Sequence, residues 1–157
     1  MTVPTEQEIR AFVGRRSDYY LNRWSTALSG EGDVFSFNQA AFWLAGFWLP
    51  YRKMYKITLI FYGIIAAESL LEYIFFVGIL KYQEPPVSLN FAVGIGSGVI
   101  CGIYANRWYY WHTCENIEQL RRLNLSEESL NEALKKRGGT NWITSIAFMI
   151  MFILVLG

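Results

Sequence analysis

The chain has 157 residues, 53% of them hydrophobic and 17% aromatic, with 14 Lys and Arg against 13 Asp and Glu and a formal net charge of +1. Its two cysteines, Cys101 inside an apolar run and Cys114 just beyond it, imply no disulfide framework. Composition alone does not separate a soluble domain from a membrane protein; the distribution of charge along the chain does.

The opening stretch "MTVPTEQEIR" is polar and has no apolar core of the kind a cleaved signal carries, so the first spanning helix is expected to direct insertion. Within the N-terminal region 1–34, "SDYYLNRWSTAL" predicts a short helix with Ser17 as N-cap and Tyr20, Leu21, Trp24 and Leu28 at helical spacing. That face suits either a membrane surface or a loop of the protein itself.

Residues 38–55 contain an apolar stretch, 40–51, too short to cross a bilayer and flanked by cations, which predicts an interfacial or re-entrant segment. Its aromatics Phe42, Trp43, Phe47, Trp48, Tyr51 and Tyr55 suit the headgroup level, and Arg52, Lys53 and Lys56 can meet anionic lipid. Gly46 and Pro50 would allow a bend.

Three runs suit hydrocarbon: 57–80, whose only charges are Glu68 and Glu72, then 87–105 and 141–156, which have none. At about 1.5 Å per residue, 57–80, 87–105 and the 142–156 part of the last run reach about 36, 28 and 22 Å against a hydrocarbon core of about 30 Å. The third spans if its helix starts within 139–141 or the bilayer thins. Pro85 and Pro86 make the turn between the first two runs tight. Between the second and third, 106–140 predicts two helices. The second of these is signalled by Ser126 as N-cap, by Glu127 and Glu128 in its first turn, and by Lys135, Lys136 and Arg137 before Gly138. Its narrow apolar stripe, Leu130 and Leu134, predicts a surface position.

Of the 14 cations, only Lys81 lies in the turn between the first two runs; the other thirteen fall on the opposite side. This bias predicts a cytoplasmic N-terminus and a cytoplasmic 106–140 loop, and it accounts for the cations without a nucleic-acid partner. The expected fold is an all-α membrane protein forming a single domain over 1–157, with three transmembrane helices preceded by an aromatic interfacial or re-entrant segment.

"SDYYLNRW", "SFNQAAFWLAGFWLPYRKMY", "GIYANRWYYWHTCENI" and "GGTN" occur in an order similar to the domain-of-unknown-function 2628 family of small bacterial inner-membrane proteins. The resemblance runs from about Phe12 to Asn141. Gln39 stands where that family usually has Trp, and Ala45-Gly46 replaces a Gly-Pro step. The resemblance implies a membrane architecture and a bacterial inner-membrane location; it implies no activity or cofactor.

Three sets of residues need a reason. Glu68 and Glu72, four apart on one helix face, fall about 17 and 23 Å into the first run, at depths where ionisable groups face protein or water and mark function. Gly94, Gly98 and Gly102 form a row, extended by Asn90 and Asn106, that lets another backbone approach, in this chain or in a second subunit. His112 is the only histidine, so no His-pair metal site exists in one chain, and no nucleophile–base pair accompanies it. The sequence reads as a non-enzymatic accessory or scaffold subunit that binds other membrane subunits or itself. The alternative is a small ion- or proton-conducting oligomer using Glu68 and Glu72.

Overall fold

The structure, a computed structural model, describes residues 3–156. Met1, Thr2 and Gly157, at the ends of the expected single domain, lie outside the described residues. Every regular element among those described is helical. In chain order they are α1 (Glu6–Val13), α2 (Ser17–Arg23), α3 (Ser25–Leu28), α4 (Gln39–Leu44), a 3₁₀ turn (Ala45–Phe47), α5 (Trp48–Tyr51), α6 (Tyr55–Tyr73) extended by a π-helical stretch (Ile74–Ile79), α7 (Val87–Arg121), α8 (Glu127–Arg137) and α9 (Trp142–Leu156).

Among the described residues two helices, not three, are long and apolar enough to cross a membrane: Tyr55–Ile79, with 25 residues, and Val87–Arg121, with 35. The third run forms a helix of 15 residues that starts no earlier than Trp142. Asn141 stands outside that helix, and its Oδ1 accepts from the Thr144 amide at 3.1 Å, so the start does not slide back into 139–141.

The 106–140 region differs from expectation in its first half. No break falls at the end of 87–105: α7 runs on to Arg121, because no glycine or proline occurs between Gly102 and its end. Beyond Gly102 the buried positions Ala105, Tyr109, Thr113, Ile117 and Leu120 recur every three or four residues, which gives this half the stripe of a packed helix. The second helix, α8, starts as expected, with Ser126 Oγ accepting from the Ser129 amide at 3.3 Å. It does not lie free on a surface, however. Leu134 is buried against α1, and the Gly139 amide donates to the Phe12 carbonyl at 2.7 Å.

Helix α1 has no counterpart in the sequence reading. Thr5 and Glu8 form a reciprocal capping box at its start, and Ile9, Phe12 and Val13 enter the core. Glu8 also binds Arg121 through two bonds of 2.6 Å, tying α1 to the end of α7. Burial raises the Glu8 pKa, but the bonds from Arg121 and Thr5 outweigh it and hold the group below its ordinary value.

Ser17 is the first residue of α2 rather than its N-cap; Arg16 takes the cap position without a side-chain bond. The aromatic face of α2 lies on the protein itself. Tyr20 and Trp24 are buried, and the Trp24 indole donates to the Asn106 carbonyl of α7 at 3.1 Å. The core therefore gathers at the polar end of α7, where α1, α2, α5 and α8 close around it. The helical hairpin of α6 and the first half of α7 projects from this body.

Candidate functional site

The 38–55 segment is held on α7 by asparagine. Asn38 caps α4 by accepting from the Ala41 amide at 3.0 Å, donates its side-chain amide to Asn106 Oδ1 at 2.8 Å, and donates its backbone amide to the Gly102 carbonyl at 2.7 Å. Asn106 in turn donates to Ser36 Oγ at 2.8 Å. This approach occupies part of the glycine row. A Cβ at Gly98 would stand 2.8 Å from the Phe42 carbonyl oxygen, and one at Gly102 would stand 2.5 Å from the Phe37 ring, whereas one at Gly94 would meet nothing within 4 Å. Within this chain, what lies nearest Gly98 and Gly102 is thus Phe37 and Phe42, just before and within the start of the 38–55 segment, rather than α6. The bend falls at Ala45, whose φ of 37° lies in the left-handed region that glycine enters without cost.

The aromatic–cationic residues of that segment divide by position. Trp43 is 75% exposed and Tyr55 is also exposed, while Phe42, Phe47, Tyr51 and Lys53 are half-buried and Trp48 is buried. Arg52 does not face outward to meet lipid. It is 5% exposed, with its guanidinium carbon 4.8 Å from the Tyr20 ring centre, 5.0 Å from that of Tyr109 and 5.7 Å from that of Tyr51. It also donates to Tyr20 Oη at 3.1 Å. Aromatic faces and one hydroxyl stabilise this buried cation in place of a carboxylate.

Glu68 and Glu72 are both half-buried on α6. Glu68 lines a cavity of about 390 Å³ between α6 and α7, together with Ser69, Asn90, Gly94 and Ser97. Glu72 Oε1 is shielded from solvent and has no hydrogen-bond partner among the described residues. Ala45, Gly46, Phe47, Phe61, Tyr62, Ile65 and Val93 complete a mostly apolar wall, so Glu68 stands with a few small polar groups beside a gap that its own chain leaves unfilled.

A second cavity, of about 480 Å³, opens where the first turns of α6 pass the middle of α7. Ile57 and Ile60 line it from α6, Trp108, Trp111, His112 and Glu115 from α7, and Lys53, Lys56 and Arg137 bring charge to it. The His112 ring lies against Phe12 and Tyr109, with centroids at 5.9 and 6.4 Å. Burial, aided by the nearby Arg137 charge and opposed by Glu115, lowers its pKa to about 4, so it is neutral at pH 7. The sequence reading found His112 and two of the cations but not their meeting with Trp108, Trp111 and Arg137, which lie about 50 or more residues further along the chain than those two cations.

These features define an all-α protein in which a long apolar hairpin joins an aromatic, cation-bearing helical body. The chain belongs to the DUF2628 family, whose description is a protein of unknown function and whose model matches residues 14–114. That match takes in the 38–55 segment, α6 and α7 as far as Cys114, and stops short of the "GGTN" motif. No curated protein and no solved structure matches the chain.

Proposed function

We propose that the protein is a non-enzymatic integral protein of the bacterial inner membrane, with a cytoplasmic N-terminus, that serves as an accessory or scaffold subunit for other membrane proteins or for copies of itself. One observation carries this reading: none of the most apolar 18-residue window of Tyr55–Ile79 is buried. A core helix of a soluble protein hides at least a stripe. Here Leu59, Ile60, Ile64, Leu70, Leu71 and Tyr73 are all exposed, and at about 100° per residue they cover about half of the circumference. Hydrocarbon or partner helices are the surroundings in which such a surface is stable. The unfilled gap beside Glu68 supports a partner there, because a carboxylate at this depth requires protein or water around it. On this reading α9 lies beside the 38–55 segment as a short membrane helix.

Orientation is tested by thiol labelling. A cysteine at Glu84 should react with an impermeant reagent in intact cells and one at Glu128 should not, with little background because Cys101 and Cys114 are buried. The reverse pattern would invert the topology. The subunit reading is tested by purification from native membranes in mild detergent, where the 18.2 kDa chain should emerge with a stoichiometric partner or as a homo-oligomer. A lone monomer in every mild detergent would end that reading.

The two carboxylates on α6, Glu68 beside the gap and Glu72 with a shielded, unpartnered oxygen, favour one alternative, a conducting oligomer. Glu68→Gln combined with Glu72→Gln preserves shape and most hydrogen bonding, so a scaffold should keep its partners and its thermal midpoint. A conductor should assemble normally yet lose proton or cation flux in liposomes. A variant that inserts but fails to assemble contradicts both and points to a cation on a partner chain.

A further inference from the structure

We infer that the cavity between the start of α6 and the middle of α7 is a binding site for the phosphodiester headgroup of an acidic phospholipid, with Lys53, Lys56 and Arg137 holding the phosphate and Ile57 and Ile60 leading its acyl chain onto α6. This inference rests on the membrane reading above.

Three features meet at this place. The first is charge without compensation. Among the described residues no carboxylate comes within 4.0 Å of Lys53, Lys56 or Arg137. Lys53 Nζ donates to the Lys136 carbonyl at 3.0 Å, and Arg137 Nη2 donates to Gln119 Oε1 at 2.6 Å. Each of these bonds uses one donor, which leaves two on the ammonium and four on the guanidinium. Lys56 is exposed. The single carboxylate on the cavity wall, Glu115, is met at 3.4 Å by Gln119 Nε2, and three cations against it leave the cavity positive. His112 is uncharged at pH 7 and does not alter that balance.

The second feature is the sequence of surfaces. Ile57 and Ile60 form one wall, Ile60 is 54% exposed, and one turn further on Ile64 is 65% exposed. A ligand with its anion at the cations therefore meets a continuous apolar track along α6, which a soluble phosphate would leave uncovered. The third is depth. The cavity lies at the end of the α6–α7 hairpin where charges begin on both helices, at Lys56 and at Arg107, and where Trp108 and Trp111 present the amphipathic rings common at headgroup level. A basic pocket between helices on the cytoplasmic side is a setting in which acidic headgroups bind.

The test is native mass spectrometry of the full chain in neutral detergent, titrated separately with dioleoylphosphatidylglycerol, dioleoylphosphatidylcholine and deacylated glycerophosphoglycerol. The phosphatidylglycerol is expected to bind saturably and about tenfold more tightly than the phosphatidylcholine, and the deacylated headgroup only weakly. Lys56→Gln with Arg137→Gln should abolish that preference, while Lys135→Gln with Lys136→Gln, which removes the same charge outside the cavity, should keep it. Both pairs are exposed, and equal thermal midpoints will show that the fold is retained. The inference is overturned if the two lipids bind equally, if both double variants lose the preference alike, or if the deacylated headgroup binds as tightly as the lipid. Reconstitution into phosphatidylcholine bilayers separates the two levels. A chain that inserts there without lipid preference refutes the site alone, and one that remains outside bilayers refutes the membrane reading.

Discussion

Gly98→Ala should destabilise the protein by about 1–3 kcal/mol, the range for an overpacked contact, and Gly98→Leu by more. The atom in the way is the Phe42 carbonyl oxygen, 2.8 Å from where the new Cβ would stand. Backbone fixed by the Asn38 bonds to Gly102 and Asn106 cannot swing aside as a side chain can. The same substitution one turn away on either side should differ. At Gly102 the obstruction is mainly the end of the Phe37 side chain, which is 52% exposed and has room to turn, so the cost should be smaller. At Gly94 nothing obstructs, and alanine should be neutral or stabilise by up to about 0.5–1 kcal/mol through helix propensity. Unfolding of the three alanine variants in one detergent gives the order directly. Equal shifts at all three would mean that the row acts through propensity and that the 38–55 segment does not press on it.

Acidification between pH 6.5 and pH 4 should lower stability by on the order of 2–3 kcal/mol through His112 alone. The folded pKa of about 4 lies below the ordinary 6.5, mainly because burial disfavours the charged ring. The unfolded chain therefore takes up its proton first as pH falls. The contribution is whole above about pH 6.5, declines through the window, and is spent below the folded value. The charged groups around the ring are Glu115, which favours protonation, and Arg137, Lys53 and Lys56, which share its cavity and oppose it. Glu8, whose pKa is also lowered, loses its contribution only as pH falls below the usual carboxylate range, so the two effects separate. His112→Gln should flatten the profile between pH 6.5 and 4. A parent protein whose thermal midpoint stays constant across that window would contradict a buried neutral histidine.

Much of the helical hairpin is legible in the sequence, because long stretches without charge leave few alternatives to an apolar helix. The length of α7 is not. Arg107 reads as the end of a charge-free run, yet a charge ends only the suitability for hydrocarbon, and the helix itself meets no breaker until after Arg121. Helix α1 carries its signal openly in Thr5 and Glu8, a Thr-x-x-Glu box before an apolar residue, and the sequence reading passes over it. Arg52 reads outward because a buried arginine without a carboxylate goes against the usual preference; only the assembled cage of Tyr20, Tyr51 and Tyr109 makes it stable there. The cationic cavity is illegible for a different reason. Its walls come from residues 53–60, 108–116 and Arg137, and no local pattern encodes the passing of α6 beside α7.

The unbroken α7 has a mechanical consequence. Its 35 residues make a rod of about 52 Å, apolar and exposed at one end and fixed over the other half into the helical body by Trp24, Asn38 and Glu8. In the membrane orientation proposed above, such a rod is a lever with its fulcrum at the membrane surface. A thinner or thicker bilayer changes the tilt of an embedded helix, and over the roughly 21 Å from Arg107 to Arg121 a change of about 5° sweeps the far end through about 2 Å. With no joint between Gly102 and Arg121, that displacement is not absorbed on the way. The whole helical body would swing with it, so on the proposed membrane reading the thickness of the surrounding lipid would set how that body is carried relative to the surface.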